Sequence, residues 1–86
     1  MMELLRFHAT WCNPCKQLAP VIEQVKQEVK DVKFSDIDVD LEPDTATFFG
    51  VMGVPTLILL KDGIPVKRMS GYQPKERIIA MIDSAR

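Results

Sequence analysis

Cysteine is scarce in this chain of 86 residues, which has two, together with one histidine, one tryptophan and one tyrosine. The pair, Cys12 and Cys15, is a poor brace for a domain, because a cross-link removes little entropy from the unfolded chain when the loop it closes is short. The fold must therefore rest on an apolar core. A tetrahedral metal site asks for four ligands, and these thiols with His8 fall short, so a metal would have to bridge two chains. An excess of one charge is also lacking: Lys and Arg number 11, Asp and Glu 12, for a net charge of −1. That balance leaves no footprint for nucleic acid and no charged tail. No apolar run has membrane length, and Met1-Met2-Glu3-Leu4-Leu5-Arg6 lacks the basic start and long apolar stretch of a signal peptide. The expectation is a cytoplasmic protein, where a lasting structural disulfide is rare and a cysteine pair more often does chemistry.

What is present is the composition of an ordinary globule, 47% hydrophobic and 27% charged, expected to form a single domain over residues 1–86. Met2 to His8 is apolar with the length of a strand and leads through Ala9-Thr10-Trp11 into the cysteines. Leu18, Val21, Ile22, Val25, Val29 and Val32 recur at three- and four-residue spacings, which predicts a helix over about Asn13 to Asp31. Pro14 suits its first turn, whereas Pro20 lies inside it and is expected to kink it. Phe34 to Val39 alternates as a strand, Pro43 to Phe49 reads as a short helix ended by Gly50, and Thr56 to Lys61 is a continuous apolar strand. Asp62-Gly63 signals a hairpin, Val66 to Met69 returns antiparallel, and Ile78, Ile79 and Ile82 behind Pro74 mark a closing helix. The order is β-α-β-α-β-β-α, an α/β arrangement whose first connections are long enough for parallel crossovers.

Trp11-Cys12-Asn13-Pro14-Cys15-Lys16, Pro20, Phe49-Gly50-Val51-Met52-Gly53-Val54-Pro55-Thr56 and Lys61-Asp62-Gly63 together resemble the thioredoxin family over nearly the whole chain. Ordinary thioredoxins carry an extra strand and helix before the strand that feeds the cysteines, and this chain starts on that strand. The resemblance implies a minimal thioredoxin-like fold, a four-stranded mixed sheet flanked by three helices. It also implies a cis Val54-Pro55 bond beside the cysteines, the backbone of Val54 pairing with a bound polypeptide, and Gly53 and Gly71 leaving room for it.

The residues themselves assign roles to the thiols. Cys12 stands at the start of a helix, where unpaired N–H groups and the helix dipole favour a thiolate. Cys15, one turn on and more shielded, can attack the Cys12 sulfur and expel a substrate thiol. Pro14 stiffens the turn between them. Trp11 and Asn13 flank the nucleophile, and Trp11 is read as a contact for substrate over core filler. Gly53 and Gly71 read equally as turn glycines. Asp36-Ile37-Asp38-Val39-Asp40 hints at a calcium loop, but Leu41 and Thr47 stand where such a loop needs glycine and glutamate, so these are read as solvated strand-end carboxylates.

Six residues before Cys12, the resemblance implies a buried aspartate that moves the proton of the second cysteine. Arg6 occupies that position and cannot be such a base. The family's partner lysine corresponds to Asp36, so Arg6 and Asp36 are expected to pair beneath the cysteines; otherwise Arg6 snorkels to solvent. An unbalanced Arg6 would stabilise thiolate and make the couple more oxidising, whereas a neutralised one leaves it reducing, with Asp36 open to take over proton transfer. His8 stands where thioredoxins usually have tryptophan, and either tunes Cys12 or serves as a hydrogen-bonded spacer.

The reading is a thioredoxin-like dithiol-disulfide oxidoreductase reducing protein disulfides, with Cys12 attacking and Cys15 resolving, and with no bound cofactor or metal. The resemblance implies a thioredoxin reductase as electron donor and NADPH as the ultimate source; the chain is expected to be a monomer, and its charge and apolar runs give no reason to expect nucleic acid or membrane as partners. Ser70-Gly71-Tyr72-Gln73-Pro74 also resembles redoxins that serve ribonucleotide reductase. The alternatives are a glutaredoxin-like enzyme using glutathione, and a non-catalytic accessory protein or metal-bridged dimer.

Overall fold

A computed structural model describes residues 1–86. The elements are β1 (Met2–His8), α1 (Asn13–Glu28), β2 (Val32–Asp38), α2 (Pro43–Phe48), β3 (Thr56–Lys61), β4 (Ile64–Ser70) and α3 (Lys75–Ser84). They form a four-stranded sheet in the order β2-β1-β3-β4. β1 runs parallel to β2 through the α1 crossover, and β3 is antiparallel to both β1 and β4. This is the mixed sheet with three helices that the family resemblance implies; only the α1 connection is a parallel crossover, because β3 pairs antiparallel with β1, so the α2 connection is not the second parallel crossover that its length allows.

Alternation along β1 decides what lies on each face of the sheet. Met2 and Leu4 pack with Leu18, Ile22 and Val25 of α1 and with Ile78, Met81 and Ile82 of α3. Leu5 and Phe7 point the other way, to Ile37, Ile58, Leu60 and Ala46 of α2. The same alternation puts Arg6 and His8 on the α1 side, past Leu4 and toward the start of α1. β3 is central and buried on both faces from Thr56 to Leu60, which explains its unbroken apolar sequence. Leu57 and Leu59 join the α1 side, Ile58 and Leu60 the α2 side. The hairpin after β3 turns on Asp62 and Gly63, whose φ values of 52° and 82° belong to the tight turn that the Asp-Gly pair favours.

Several boundaries differ from expectation, and the reasons are physical. α1 stops at Glu28 instead of Asp31, with Val29 extended and its N–H bonded to the Val25 carbonyl at 2.8 Å. The apolar spacing runs on past that end because Val29 and Val32 enter the same cluster from a turn and from β2, where Val32 pairs with Met2. β2 therefore begins two residues before Phe34 and ends at Asp38. β4 is longer than Val66–Met69 because backbone pairing at the sheet edge extends to Ile64, Pro65 and Ser70, whose exposed side chains follow no buried-face pattern. α1 continues through Pro20, which lies on its solvent face. α2 ends at Phe48; Gly50 has φ +67°, and the bonds Val51 N–H to Ala46 O (2.8 Å) and Gly50 N–H to Thr47 O (3.0 Å) close a Schellman motif. Arg68 of β4 donates to the carbonyls of Phe49 and Gly50, fastening that end of α2 to the sheet.

Candidate active site

The site forms where β1 hands over to α1. Ala9, Cys12 and Cys15 make a small buried cluster, and Val39 and Val54 pack against it. Cys12 is the N-cap of α1, with extended backbone angles. Its N–H reaches the Ala9 carbonyl at 3.2 Å, and its Sγ accepts the Cys15 N–H at 3.2 Å. A cap uses the side chain to satisfy a helix N–H that has no partner in the helix, and here a sulfur does so. Cys12 and Cys15 are joined as a disulfide with Cα atoms 5.3 Å apart. Both residues are 4% exposed, so the greater shielding expected of Cys15 is not seen in residue burial. Asn13 and Pro14 occupy the exposed first turn between them, with Pro14 where its missing N–H costs no helix bond.

The opposing wall is the segment before β3. The Val54–Pro55 peptide bond is cis, and Pro55 is fully buried. Thr56 Oγ1 donates to the Gly53 carbonyl at 2.7 Å, and the Gly71 N–H donates to the Pro55 carbonyl at 2.9 Å. Gly71 needs its freedom, since φ is +79° there. A Cβ placed at Gly53 or Gly71 would meet nothing within 4 Å, so both glycines border open space. The N–H and C=O of Val54 form no hydrogen bond within the chain. Trp11, Val39, Ala46, Val51, Met52, Gly53 and Val54 line an apolar groove beside them. Trp11 is 66% exposed, which removes it from the core, and Met52 is 98% exposed at the rim.

Asp38 and Asp40 have structural work that the reading as solvated carboxylates misses. Trp11 Nε1 donates to Asp40 Oδ2 at 2.8 Å, fixing the indole at the groove. Asp38 Oδ1 accepts the N–H groups of Asp40 and Leu41 at 2.9 and 3.3 Å, turning the chain after β2. An aspartate two residues before another at a strand end is a signal for such a turn, but no local pattern joins Asp40 to a tryptophan 29 positions away.

Arg6 and Asp36 are register partners on β1 and β2, and Arg6 Nε donates to Asp36 Oδ1 at 3.0 Å. The side chain of Arg6 is 15% exposed and that of Asp36 43%, so the arginine does not snorkel free. The hydrogen bond from Arg6 outweighs partial burial and holds the Asp36 carboxyl below its ordinary value, with the Arg6 charge adding to the effect. Arg6, His8, Ala9, Thr10, Cys15, Lys16 and Ala19 line a shallow opening on the α1 side. His8 makes no side-chain hydrogen bond within the chain, so it is not the bonded spacer expected from its position; its backbone C=O accepts from Val39 at 2.9 Å. No group of three or more His, Cys, Asp or Glu side chains is placed to hold a metal ion.

The thioredoxin family model matches residues 2–84. The chain belongs to the thioredoxin family. It is 46% identical over 80 residues to a thioredoxin of Alicyclobacillus acidocaldarius subsp. acidocaldarius, an alignment covering 92% of this chain and 76% of that one. With a thioredoxin of Staphylococcus aureus it shares 43% identity over 83 residues, covering 95% and 80%. Among solved structures, a mutant thioredoxin from Halobacterium salinarum NRC-1 superposes with a TM-score of 0.92 at 38% identity, covering 96% of this chain and 73% of that one. Fasciola hepatica thioredoxin superposes equally well, TM-score 0.92, at 32% identity over 99% and 81%. The protein is thus a thioredoxin-like dithiol-disulfide oxidoreductase, and its redox group is the Cys12–Cys15 pair itself, since thioredoxins need no bound cofactor. Family membership implies disulfide-bonded proteins as substrates and a thioredoxin reductase as partner. No helix is long and apolar enough to cross a membrane.

Proposed function

We propose that this thioredoxin reduces protein disulfides with Cys12 as the attacking thiol and Cys15 as the resolving one. The observation that carries the assignment is the Cys15 N–H directed at Cys12 Sγ at the helix start. In the reduced protein the same N–H and the helix dipole stabilise a thiolate on Cys12 more than on Cys15, which lies inside the first turn. The Cys12 thiolate attacks one sulfur of the substrate disulfide, displacing a substrate thiolate and leaving a Cys12–substrate bond. The thiolate of Cys15 then attacks Cys12 Sγ, forming the Cys12–Cys15 bond and releasing the second substrate thiolate. Substrate and enzyme exchange two electrons and two protons in all, so no other redox group takes part.

The free backbone groups of Val54 support binding of an extended polypeptide across the groove, with Trp11 and Met52 as apolar contacts and Gly53 and Gly71 giving clearance. Asn13 and Pro14 form the exposed edge of the nucleophile's turn. The Arg6–Asp36 pair neutralises the charge beneath the thiols and keeps the couple reducing. The finer reading is a cytoplasmic monomer of one domain, reduced by thioredoxin reductase at the expense of NADPH, with ribonucleotide reductase among its substrates. Insulin reduction tests the roles: Cys12→Ser abolishes turnover, whereas Cys15→Ser accumulates a covalent mixed disulfide through Cys12. Trapping of substrate on Cys15 in Cys12→Ser, at the rate seen for Cys12, would contradict the assignment.

A further inference from the structure

The Cys15 thiol has to lose a proton before it can resolve the mixed disulfide, and the groups around it leave few acceptors. Arg6 stands at the position where the family resemblance implies an aspartate for that task, and a guanidinium has donors only. Asp36 is tied to Arg6 at 3.0 Å and its carboxyl is held below the ordinary value, which makes it a poor proton acceptor. Lys16 carries an ammonium, again with donors only, and the Thr10 hydroxyl is no base at neutral pH. His8 remains. It borders the same opening as Cys15, lies on the α1 face of β1 by the alternation that buries Met2 and Leu4 there, and has an imidazole uncommitted to any hydrogen bond in the chain. Histidine is the side chain suited to exchanging protons near neutral pH.

We propose that His8 is the general base that takes the Cys15 proton during resolution, directly or through one water in the opening. This rests on the assignment of Cys15 as the resolving thiol. The step balances: the imidazole gains the proton of Cys15, the Cys15 thiolate forms the bond to Cys12 Sγ, and the Cys12–substrate S–S bond breaks. The departing thiolate then takes a proton from the imidazolium or solvent, which returns His8 to its neutral form. The charged groups around His8 are Arg6 on β1, Lys16 on α1, and Asp36 and Asp38 on β2, Asp38 being its register partner. Arg6 is balanced by Asp36, so the base works beside an ion pair with no net charge.

Stopped-flow reaction of the reduced protein with one equivalent of dithiobis(nitrobenzoate) reads the steps separately. Attack by Cys12 releases one nitrothiobenzoate, and resolution by Cys15 releases the second. His8→Gln, with folding verified by circular dichroism, is expected to slow the second release by about tenfold or more, a modest share of what a positioned base contributes. It should also replace the rise near neutral pH expected of the parent with one that follows ionisation of the thiol itself at higher pH, and added imidazole should restore the rate in proportion to its concentration. A second release with unchanged rate and pH dependence overturns the proposal and sends the proton to solvent. A slowed release that imidazole does not restore also overturns it, since His8 then only shapes the opening. Failure of the underlying assignment looks different: Cys15→Ser would still give a fast second release, or Cys12→Ser a fast first one, and the proposal falls with it.

Discussion

Arg6 and Asp36 face each other on adjacent parallel strands with Nε and Oδ1 3.0 Å apart, and Arg6 lines the same opening as Cys15. The relationship keeps a charge pair while reversing the signs that the family resemblance implies at these two positions. A guanidinium this shielded gains from a fixed partner, because its desolvation is otherwise uncompensated. The sulfurs consequently sit near a dipole of small net effect, in place of a lone cation.

Removing the carboxylate should expose that cation to the thiols. In Asp36→Asn the uncompensated Arg6 favours thiolate, stabilises the dithiol form and makes the couple more oxidising, by roughly 30 mV for each tenfold change in the exchange equilibrium. Equilibration with dithiol buffers measures it, and Cys12 alkylation should persist to lower pH in the variant. An unchanged potential would show that Arg6 does not act on the sulfurs.

Acid should weaken the pair in a defined window. Arg6 lowers the Asp36 carboxyl from its ordinary 3.8, so the folded state binds the proton less readily than the unfolded chain. The resulting stability is present in full above the ordinary carboxylate range and is lost as pH falls through the lowered folded value. Thermal unfolding of the parent and Asp36→Asn should therefore differ by a constant amount near neutrality, with the difference shrinking only below about pH 4. A gap that closes between pH 5 and 7 would assign it to another group.

The Trp11–Asp40 bond positions an exposed ring, so its loss should affect substrate more than stability. Asp40→Ala is expected to cost about 1 kcal/mol or less, the usual net worth of one hydrogen bond. KM for a protein disulfide should rise several-fold while reaction with a small aromatic disulfide stays the same. Equal losses for both substrates would show that the indole acts on the thiols themselves.

The glycines near the cis bond separate clearance from backbone demand. Gly71→Ala forces a side chain into φ +79° and should destabilise by about 1–2 kcal/mol. Gly53 has no such φ and faces open space, so Gly53→Ala should leave unfolding within about 0.5 kcal/mol of the parent. If the open space is where a polypeptide lies, the same variant lowers kcat/KM for insulin. Unchanged insulin reduction in Gly53→Ala would remove this residue from the binding surface.

The sequence shows a good deal of this, and the exceptions share a cause. Helical spacing marks α1 and α3 and alternation marks β2, because each buries one face against a neighbour; β3, buried on both faces, shows as a continuous run, and α2 and β4 are legible from their Pro, Gly and Asp-Gly punctuation. The end of α1 was hidden because Val29 and Val32 continue the apolar spacing although a turn and a strand deliver them to the core. Within the site, Cys12, Cys15 and Pro55 are readable from the motif, and the opposition of Arg6 and Asp36 follows from the family positions that the resemblance assigns them. Asp40 was invisible, since its role depends on where the turn after β2 brings it relative to Trp11. Local patterns report an element's own burial, whereas contacts between loops of distant sequence are set by the assembled sheet.

The potential of the Cys12–Cys15 couple tests the central claim most directly. Reduced and oxidised protein would be equilibrated in defined dithiol buffers, followed by Trp11 fluorescence and checked by alkylation of the free thiols. A charge-balanced pair beneath a thioredoxin active site predicts about −270 mV, the value of a reducing thioredoxin couple. A value of about −200 mV or higher would contradict it, showing that Arg6 governs the sulfurs despite its bond to Asp36.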